Sequence, residues 1–337
     1  MTALATRPLV ERYDAVVCDL DGVVYRGPAA VANAVEVLGS LPRRVVYATN
    51  NASRTPSDVA AHLSSLGLRA TVDDVVTSSM AGAQELARLV PPGSEVLAVG
   101  GPGVAAALRD ASLAPVAEFG SAVVAVLQGY GANVSAADLA EAAYAVEGGA
   151  TWVATNTDTT LPTDRGTAPG NGALVAAVAA AAGAEPRLVV GKPHAPLYLL
   201  CASLLGMEPR RILAVGDRLN TDIAGAVEAG MDSLLVLTGV DNLVNAALAD
   251  PAERPTWVSQ DLSGLRRPLE KPRRDGEWWV SGSDARTLRG THWEARAGDA
   301  DDALNAALAA IHEGLDSGAL APEAVSPLVS ALGDLAQ

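Results

Sequence analysis

Short runs of apolar, largely β-branched residues alternate with Ala- and Leu-rich stretches up to about residue 260 of this 337-residue chain. The short runs are predicted strands at Ala15–Leu20, Val45–Thr49, Glu95–Val99, Val123–Gln128, Thr151–Thr155, Leu188–Val190, Ile212–Val215 and Ser233–Leu237. The longer stretches predict helices, among them Ala29–Leu38, Pro56–Leu66, Ser135–Glu147, Gly172–Ala182, Pro196–Leu205 and Thr221–Ala229. Strands that are apolar throughout are typical of buried parallel sheets. The alternation therefore predicts a doubly wound α/β fold with sites at the carboxyl ends of its strands.

The pattern changes near residue 263. Ser263–Glu277 carries five cationic residues and two prolines, and we interpret it as a linker. Short strands are predicted around Trp278–Val280 and Thr291–Ala295, followed by helices over Ala300–Leu315 and Pro322–Leu335. This tail is marginal as an independent core.

Three of the five tryptophans, Trp278, Trp279 and Trp293, lie in the tail. They either pack the tail against the rest of the molecule or form a partner-binding or dimerisation surface. The second interpretation leaves a homo-oligomer open.

Composition excludes several classes of protein. The net charge of −15 argues against a nucleic-acid or anionic-membrane binder. Two cysteines, Cys18 and Cys201, form no disulfide framework, which fits a reducing compartment. The first fourteen residues lack the apolar core of a signal peptide, and the run Gly172–Ala184 is too short to span a bilayer. We therefore expect a cytoplasmic protein without membrane insertion.

Paired acids follow the first predicted strand, in the sequence Cys18-Asp19-Leu20-Asp21-Gly22. At a strand end that turns at Gly22, both carboxylates can point into one cleft. One can then serve as nucleophile and the other as acid and base, with a divalent cation suppressing their repulsion. The alternative is an Asp-Gly turn with incidental charge.

Two further motifs suit an anionic substrate. Thr49-Asn50-Asn51 ends the second strand and offers a hydroxyl, two amides and backbone N–H groups to phosphate oxygens, although such clusters also form ordinary turns. Lys192, one of only two lysines beside 22 arginines, follows the strand Leu188–Val190. A compact ammonium can sit between a carboxylate and a phosphoryl oxygen where a planar guanidinium would not fit. A surface-turn lysine is the alternative.

The last motif, Gly216-Asp217-Arg218-Leu219-Asn220-Thr221-Asp222, follows another strand and opens a helix. Its carboxylates could hold Mg²⁺ and steady the lysine. Asp222 also suits a helix N-terminus without any catalytic role.

The four motifs, each at a strand end, resemble those of the haloacid dehalogenase superfamily over residues 12–260. DLDGVVYRG, ATNNAS, VVGKP and GDRLNTDIAGA are similar to the subclass that inserts a large α/β cap between the second and third motifs. The resemblance implies a doubly wound parallel-sheet core over residues 1–77 and 169–262, a cap over 78–168, and a linker with a small α+β extension over 263–337.

The resemblance also implies roles for individual residues. Asp19 would attack phosphorus, Asp21 would act as acid and base, and Lys192 would neutralise the aspartyl-phosphate pair. Mg²⁺ would be held by Asp19, Asp217 and the backbone carbonyl of Asp21. Thr49, Asn50 and Asn51 would bind phosphoryl oxygens, and Asp222 would be an anchor behind the metal ligands.

The second acid, Asp21, favours phosphoryl transfer over carbon–halogen cleavage, because dehalogenases of the superfamily lack it. The cap segment Ala154–Pro162 contains Asn156 and Asp158, whose counterparts in relatives close over the substrate; a hydrogen-bonded turn is the alternative.

Within the subclass the chain resembles actinobacterial glycerol 3-phosphate phosphatases. We thus expect a small phosphorylated metabolite, glycerol 3-phosphate, as substrate, with 2-phosphoglycolate or a broad p-nitrophenyl phosphate-type activity as alternatives. A third reading is a regulatory or partner-binding protein acting through its tail.

Overall fold

The computed structural model describes residues 7–163, 165–296 and 298–332. They form two compact units, the first drawn from Met1–Val46 and Leu205–Gln337 and the second from Tyr47–Leu204. The limits of these units are not the cap boundaries predicted at residues 78 and 168, which stay a prediction. Among the described residues, no helix is both long enough and apolar enough to cross a bilayer.

Strands and helices alternate along most of the chain. The strands are β1 Ala15–Cys18, β2 Tyr25–Arg26, β3 Ala29–Ala30, β4 Arg44–Thr49, β5 Val75–Thr77, β6 Glu95–Val99, β7 Ala114–Val116, β8 Val123–Gln128, β9 Thr151–Ala154, β10 Thr160–Thr163, β11 Gly166–Pro169, β12 Leu188–Val189, β13 Ile212–Gly216, β14 Asp232–Val236, β15 Trp257–Ser259, β16 Arg273–Asp275, β17 Trp278–Ser281, β18 Asp284–Arg289 and β19 His292–Arg296. The α-helices are α1 Ala34–Gly39, α2 Pro56–Ser65, α3 Ser78–Leu89, α4 Pro102–Asp110, α5 Ala136–Glu147, α6 Asn171–Ala182, α7 Pro196–Leu205, α8 Ala224–Glu228, α9 Leu243–Leu248, α10 Ala300–Asp316 and α11 Val325–Ser330.

A parallel sheet with the order β15-β14-β13-β1 forms the centre of the first unit. Every residue of β1 and β13 is buried, as their apolar sequences predict. Because β1 pairs with β13, the motifs that follow these two strands emerge side by side. Strand β4 crosses the boundary between the two units along the chain, and its part in the second unit pairs in parallel with β5.

The second unit contains a parallel five-stranded sheet with the order β12-β9-β8-β6-β7. Buried Val126 and Trp152 pack with Ala142 of α5 and Val175 of α6 in one apolar cluster. An antiparallel hairpin of β10 and β11 leads into α6. The α/β fold class predicted from the alternation of elements is confirmed in both units.

The tail belongs to the first unit, and many of its described apolar residues share a core with that unit. Its antiparallel sheet, β16-β17-β18-β19, packs on α10, and residues such as Leu304 and Ile311 share one apolar cluster with Leu235 and Val258. Trp293 packs against that cluster and donates to the Leu328 carbonyl at 2.9 Å.

Trp278 and Trp279 are held within the tail itself. Trp279 donates to Glu313 at 2.9 Å, and the guanidinium of Arg296 lies 4.4 Å from the ring centre of Trp278. Packing of the tail against the rest of the unit therefore describes Trp293, whereas Trp278 and Trp279 contact residues of the tail and a partner surface there stays a prediction.

Some predicted elements were wrong in detail. The helix predicted from Ala29 begins at Ala34, because Gly27 turns at φ +57° and Ala29–Ala30 pair back onto Tyr25–Arg26. The predicted linker contains a 3-10 turn and strand β16, since Leu265 and Leu269 are buried. The last helix is shorter than predicted, and residues 333–335 of that prediction lie outside the described residues.

Candidate active site

Three carboxylates converge in the first unit at the carboxyl ends of β1 and β13. Asp19, Asp217 and Asp222 each place one oxygen within 4.8 Å of the others, and all three are buried. The Asp19 N–H donates to the Val215 carbonyl at 2.8 Å, which continues the β1–β13 pairing through Asp19. Buried acids at this spacing repel one another unless a cation lies among them. Carboxylate oxygens are the donors that Mg²⁺ prefers, so this donor set fits the ion.

Asp217 is held between two glycines. A Cβ built on Gly22 would lie 2.3 Å from Asp217 Oδ2, and one built on Gly239 would lie 1.7 Å from the same atom. The Val240 N–H donates to this oxygen at 2.8 Å, and the Asp241 N–H donates to the Asp217 carbonyl at 3.1 Å. The loop after β14 thus fixes the orientation of this carboxylate.

Asp222 supports the same strand end from a short π-helical turn, Leu219–Ile223, which replaces the start of the predicted helix. Its Oδ2 accepts from the backbone N–H groups of Asp217, at 3.3 Å, and Arg218, at 3.1 Å. Local π-helical turns are frequent at functional sites. These bonds suit the anchoring role that the family resemblance implies, and that role stays a prediction.

Asp21 lies in the tight turn between β1 and the β2–β3 hairpin, and its side chain is exposed. Gly22 adopts φ +84° and donates its N–H to the Tyr25 carbonyl at 2.8 Å. Thr238 Oγ1 donates to the Gly22 carbonyl at 2.8 Å. Asp21 therefore belongs to a turn whose backbone is fixed on two sides.

The second unit carries the motifs for which the sequence predicts anion binding. Thr49 ends β4, is 3% exposed, and accepts the Asn51 N–H on Oγ1 at 3.1 Å, so its hydroxyl hydrogen can donate to an anion. Asn51 is exposed, and its Oδ1 accepts the Ser53 N–H at 2.9 Å. Asn50 turns its amide toward Lys192, accepting the Lys192 N–H at 2.8 Å and donating to the Lys192 carbonyl at 2.9 Å.

Lys192 is buried, with 3% of its surface exposed, and Nζ donates to the Ala48 carbonyl at 3.3 Å. Cys201 lies within range of electrostatic interaction with the Lys192 ammonium. Burial raises the pKa of the Cys201 thiol to about 12, against the opposing effect of the Lys192 ammonium. Because the thiol stays protonated at neutral pH, it neither competes as a nucleophile nor neutralises the lysine.

Asn156 and Asp158 lie in the loop between β9 and β10. Asn156 Nδ2 donates to the Asn50 carbonyl at 2.8 Å, and its Oδ1 accepts the Asp158 N–H at 3.1 Å. Asp158 Oδ2 accepts from Asn50 Nδ2 at 3.3 Å. The structure therefore brings Asn50, Asn156, Asp158 and the Lys192 backbone together within this unit.

The sequence motifs do not include several residues that the structure places around these groups. The loop Thr238–Asp241 cradles Asp217, and the TG pair after an apolar strand was a signal for it. Ser78 Oγ donates to the Asn50 carbonyl at 2.7 Å, and Asn171 Nδ2 donates to the Asn156 carbonyl at 2.7 Å. These last two follow strands without any motif of their own, so only the fold identifies them.

Two segments of the chain match known protein families. Residues 16–114 match the family described as haloacid dehalogenase-like hydrolase, and residues 189–265 match a second one described as HAD-hydrolase-like. The first match includes the motifs around Asp19 and Thr49, and the second includes those around Lys192 and Asp217.

Individual relatives are phosphatases. The D-glycerol 3-phosphate phosphatase of Mycobacterium tuberculosis is 45% identical over 261 residues, which are 77% of this chain and 73% of the relative. A crystal structure of a glycerol phosphate phosphatase from Mycobacterium tuberculosis, in complex with magnesium, aligns with a TM-score of 0.83 at 40% identity. The alignment covers 91% of this chain and 92% of the mycobacterial chain, so it extends into the tail.

A p-nitrophenyl phosphatase from Archaeoglobus fulgidus aligns with a TM-score of 0.69 at 27% identity. That alignment covers 75% of this chain and 98% of the archaeal chain.

Proposed function

The chain belongs to the haloacid dehalogenase-like hydrolases as a Mg²⁺-dependent phosphoric monoester hydrolase of the subclass with a large α/β cap, and we propose that its preferred substrate is glycerol 3-phosphate. The convergence of Asp19, Asp217 and Asp222 at adjacent strand ends is the observation that supports the Mg²⁺-dependent chemistry. The 45% identity to a D-glycerol 3-phosphate phosphatase supports this choice of substrate.

The proposed reaction proceeds in two displacements. An oxygen of Asp19 attacks phosphorus and the ester oxygen leaves, so that an aspartyl phosphate forms and glycerol departs. Asp21 protonates the leaving alkoxide and then takes a proton from the water that cleaves the aspartyl phosphate. The second displacement releases inorganic phosphate and restores both acids.

Charge stabilisation is the second requirement of this reaction. The Asp19 and Asp217 carboxylates and the Asp21 carbonyl would hold Mg²⁺, and the bound ion would supply positive charge to the phosphoryl oxygens. The Lys192 ammonium supplies a further positive charge, and Thr49 and Asn51 supply hydrogen-bond donors. Several donors are needed because uncatalysed hydrolysis of phosphate monoesters is among the slowest known reactions.

A comparison of kcat/KM among small phosphate esters tests the substrate. We expect glycerol 3-phosphate to be hydrolysed with a kcat/KM at least about tenfold above those of 2-phosphoglycolate and p-nitrophenyl phosphate. Equal values for all three esters would favour a broad-specificity enzyme, the alternative that the similarity to a p-nitrophenyl phosphatase supports. A higher value for 2-phosphoglycolate would replace the proposed substrate.

We propose further that the protein works in the cytoplasm on small metabolites and has no nucleic-acid partner. Its net charge of −15 supports the second point, because a polyanion would be repelled. The proposed domains remain a core over residues 1–77 and 169–262, a cap over 78–168 and an extension from 263, with a homo-oligomer open.

A further inference from the structure

Asn50 holds both main-chain polar groups of Lys192. Its Oδ1 accepts the Lys192 N–H at 2.8 Å, and its Nδ2 donates to the Lys192 carbonyl at 2.9 Å. The amide of Asn50 supplies an acceptor and a donor side by side, whereas an ionised carboxylate only accepts and an ammonium only donates. One residue of the second motif thereby fixes the backbone of the third motif, 142 positions away in the sequence.

The same short segment also binds the other end of the lysine. Lys192 Nζ donates to the Ala48 carbonyl at 3.3 Å, two residues before Asn50. The lysine is therefore fastened to residues 48–50 at its main chain and at its ammonium. A lysine side chain has a flexible stem of four carbons, so fixing both ends removes most of the conformational freedom of the ammonium.

Asn50 itself is fixed by its neighbours. Its carbonyl accepts from Ser78 Oγ at 2.7 Å and from Asn156 Nδ2 at 2.8 Å. Its Nδ2 also donates to Asp158 Oδ2 at 3.3 Å. These bonds, with those to Lys192, engage both polar atoms of the side chain.

We propose that Asn50 is a positioning residue for Lys192, and that it does not bind phosphoryl oxygens through its side chain. This inference rests on the proposed function, since that function gives the lysine its role. It changes the interpretation of the second motif, in which the hydroxyl of Thr49 meets the anion while the next side chain holds the catalytic ammonium.

The substitution Asn50→Asp tests this role with little change in size. It keeps an acceptor for the Lys192 N–H but sets an oxygen against the Lys192 carbonyl and against the Asp158 carboxylate. We expect a fall in kcat/KM of about a hundredfold, the cost of a misplaced catalytic group. Asn50→Ala, which removes the pairing without adding charge, should fall by a similar factor.

A double-mutant cycle with Lys192→Met separates positioning from substrate contact. If Asn50 acts through Lys192, Asn50→Asp lowers single-turnover hydrolysis of p-nitrophenyl phosphate by less than about threefold in the Lys192→Met background. The same hundredfold loss in both backgrounds would overturn the proposal, because the side chain would then act independently of the lysine. Unchanged kcat/KM in both Asn50 variants would also overturn it.

Asn242→Asp is the matched control. It makes the same chemical change at the N-cap of α9, where Asp caps as well as Asn and no catalytic role is assigned. Its kcat/KM should equal that of the wild type, and the thermal midpoint of each variant shows that the fold is retained. A wild-type chain without phosphatase activity would overturn the proposed function, whereas an active wild type with unaffected Asn50 variants would overturn only the positioning role.

Discussion

At the scale of single residues, the Asp217 carboxylate lies where two glycines leave room for it. Gly239→Ala would place a methyl group 1.7 Å from the present position of Asp217 Oδ2, so the carboxylate must move. We expect the activating Mg²⁺ concentration to rise about 10- to 100-fold, as when other supports of metal ligands are removed. Titration of activity with Mg²⁺ measures this shift.

Gly39→Ala is the control for this experiment. Gly39 ends α1 in the same unit, and its built Cβ meets nothing within 4 Å. This variant should keep the wild-type Mg²⁺ dependence. An unchanged dependence in Gly239→Ala as well would show that the position of the Asp217 carboxylate does not control the metal.

Asp19 carries the chemistry in the proposed mechanism, and its substitution by Asn removes the nucleophile while keeping the shape of the side chain. We expect Asp19→Asn to lower kcat at least about a thousandfold for every phosphate ester, with an unchanged fold by circular dichroism. Substantial turnover by this variant would eliminate the covalent mechanism. The loss of kcat should be similar for all esters, whereas a defect in substrate binding alone would change the activity to different extents for different esters.

The residues of the four motifs could be predicted because each follows a recognisable apolar strand. Asp19 and Asp217 lie together because β1 and β13 are parallel neighbours whose carboxyl ends meet at one edge of the sheet. Gly239 and Asn171 could not be predicted in the same way. Their importance depends on which loop meets which carboxylate or carbonyl, and only the tertiary structure determines that.

At the scale of secondary-structure elements, helix α10 covers the edge strand of the first sheet. Asn305 Oδ1 accepts the Val258 N–H at 2.9 Å, and its Nδ2 donates to the Val258 carbonyl at 2.8 Å. Asp301 accepts from Ser259 Oγ at 2.9 Å on the same strand. A side-chain amide thus takes the place of the next strand on the edge strand β15, which blunts an exposed sheet edge. Helix α10 was closely predictable from its sequence, but its partner strand was not.

The histidine on α10 gives this helix a pH dependence. His312 Nε2 lies 2.9 Å from the Ala246 carbonyl, and burial lowers the pKa of His312 below its ordinary value of 6.5. The Ala246 contact and Asp316 oppose this shift, and Arg254 adds to it. The unfolded chain therefore binds the proton more readily, so stability from His312 is present above pH 6.5 and is lost as pH falls toward the folded-state pKa.

His312→Gln tests this dependence, since a glutamine amide can donate to the same carbonyl without titrating. We expect the thermal midpoint of the variant to fall less than that of the wild type between about pH 7 and about pH 5. Burial raises the pKa values of Asp301 and Asp302, and these acids titrate in both proteins. Equal falls in the two proteins would mean that His312 is not responsible.

At the scale of the whole molecule, the tail completes the core of the first unit. Leu304, Ile311 and Leu328 are buried against Leu235 and Leu243 in one cluster. Removing residues 263–337 would expose the apolar side chains that the tail covers, each worth about 1.5–3 kcal/mol when buried. We expect the truncated chain to aggregate or to melt at least about 10 °C below the full chain.

This truncation also distinguishes the phosphatase hypothesis from the hypothesis that the tail makes this a regulatory or partner-binding protein. A shortened chain with unchanged thermal midpoint, kinetics and oligomeric state would show that the tail serves neither the fold nor a partner. A shortened chain that stays folded and active but loses a specific complex would favour a partner-binding tail. The fold class was predictable from periodicity, whereas the merging of the tail with the core was not, because its charged first segment hides the buried leucines.

The most direct test of the account is phosphate release from glycerol 3-phosphate by the full chain, measured with Mg²⁺ and again after removal of the metal with EDTA. The carboxylate cluster around Asp19 predicts turnover with Mg²⁺, loss of at least about 99% of it in EDTA, and recovery when Mg²⁺ is returned. Full activity in EDTA, or none with Mg²⁺ on any phosphate ester, would contradict the account.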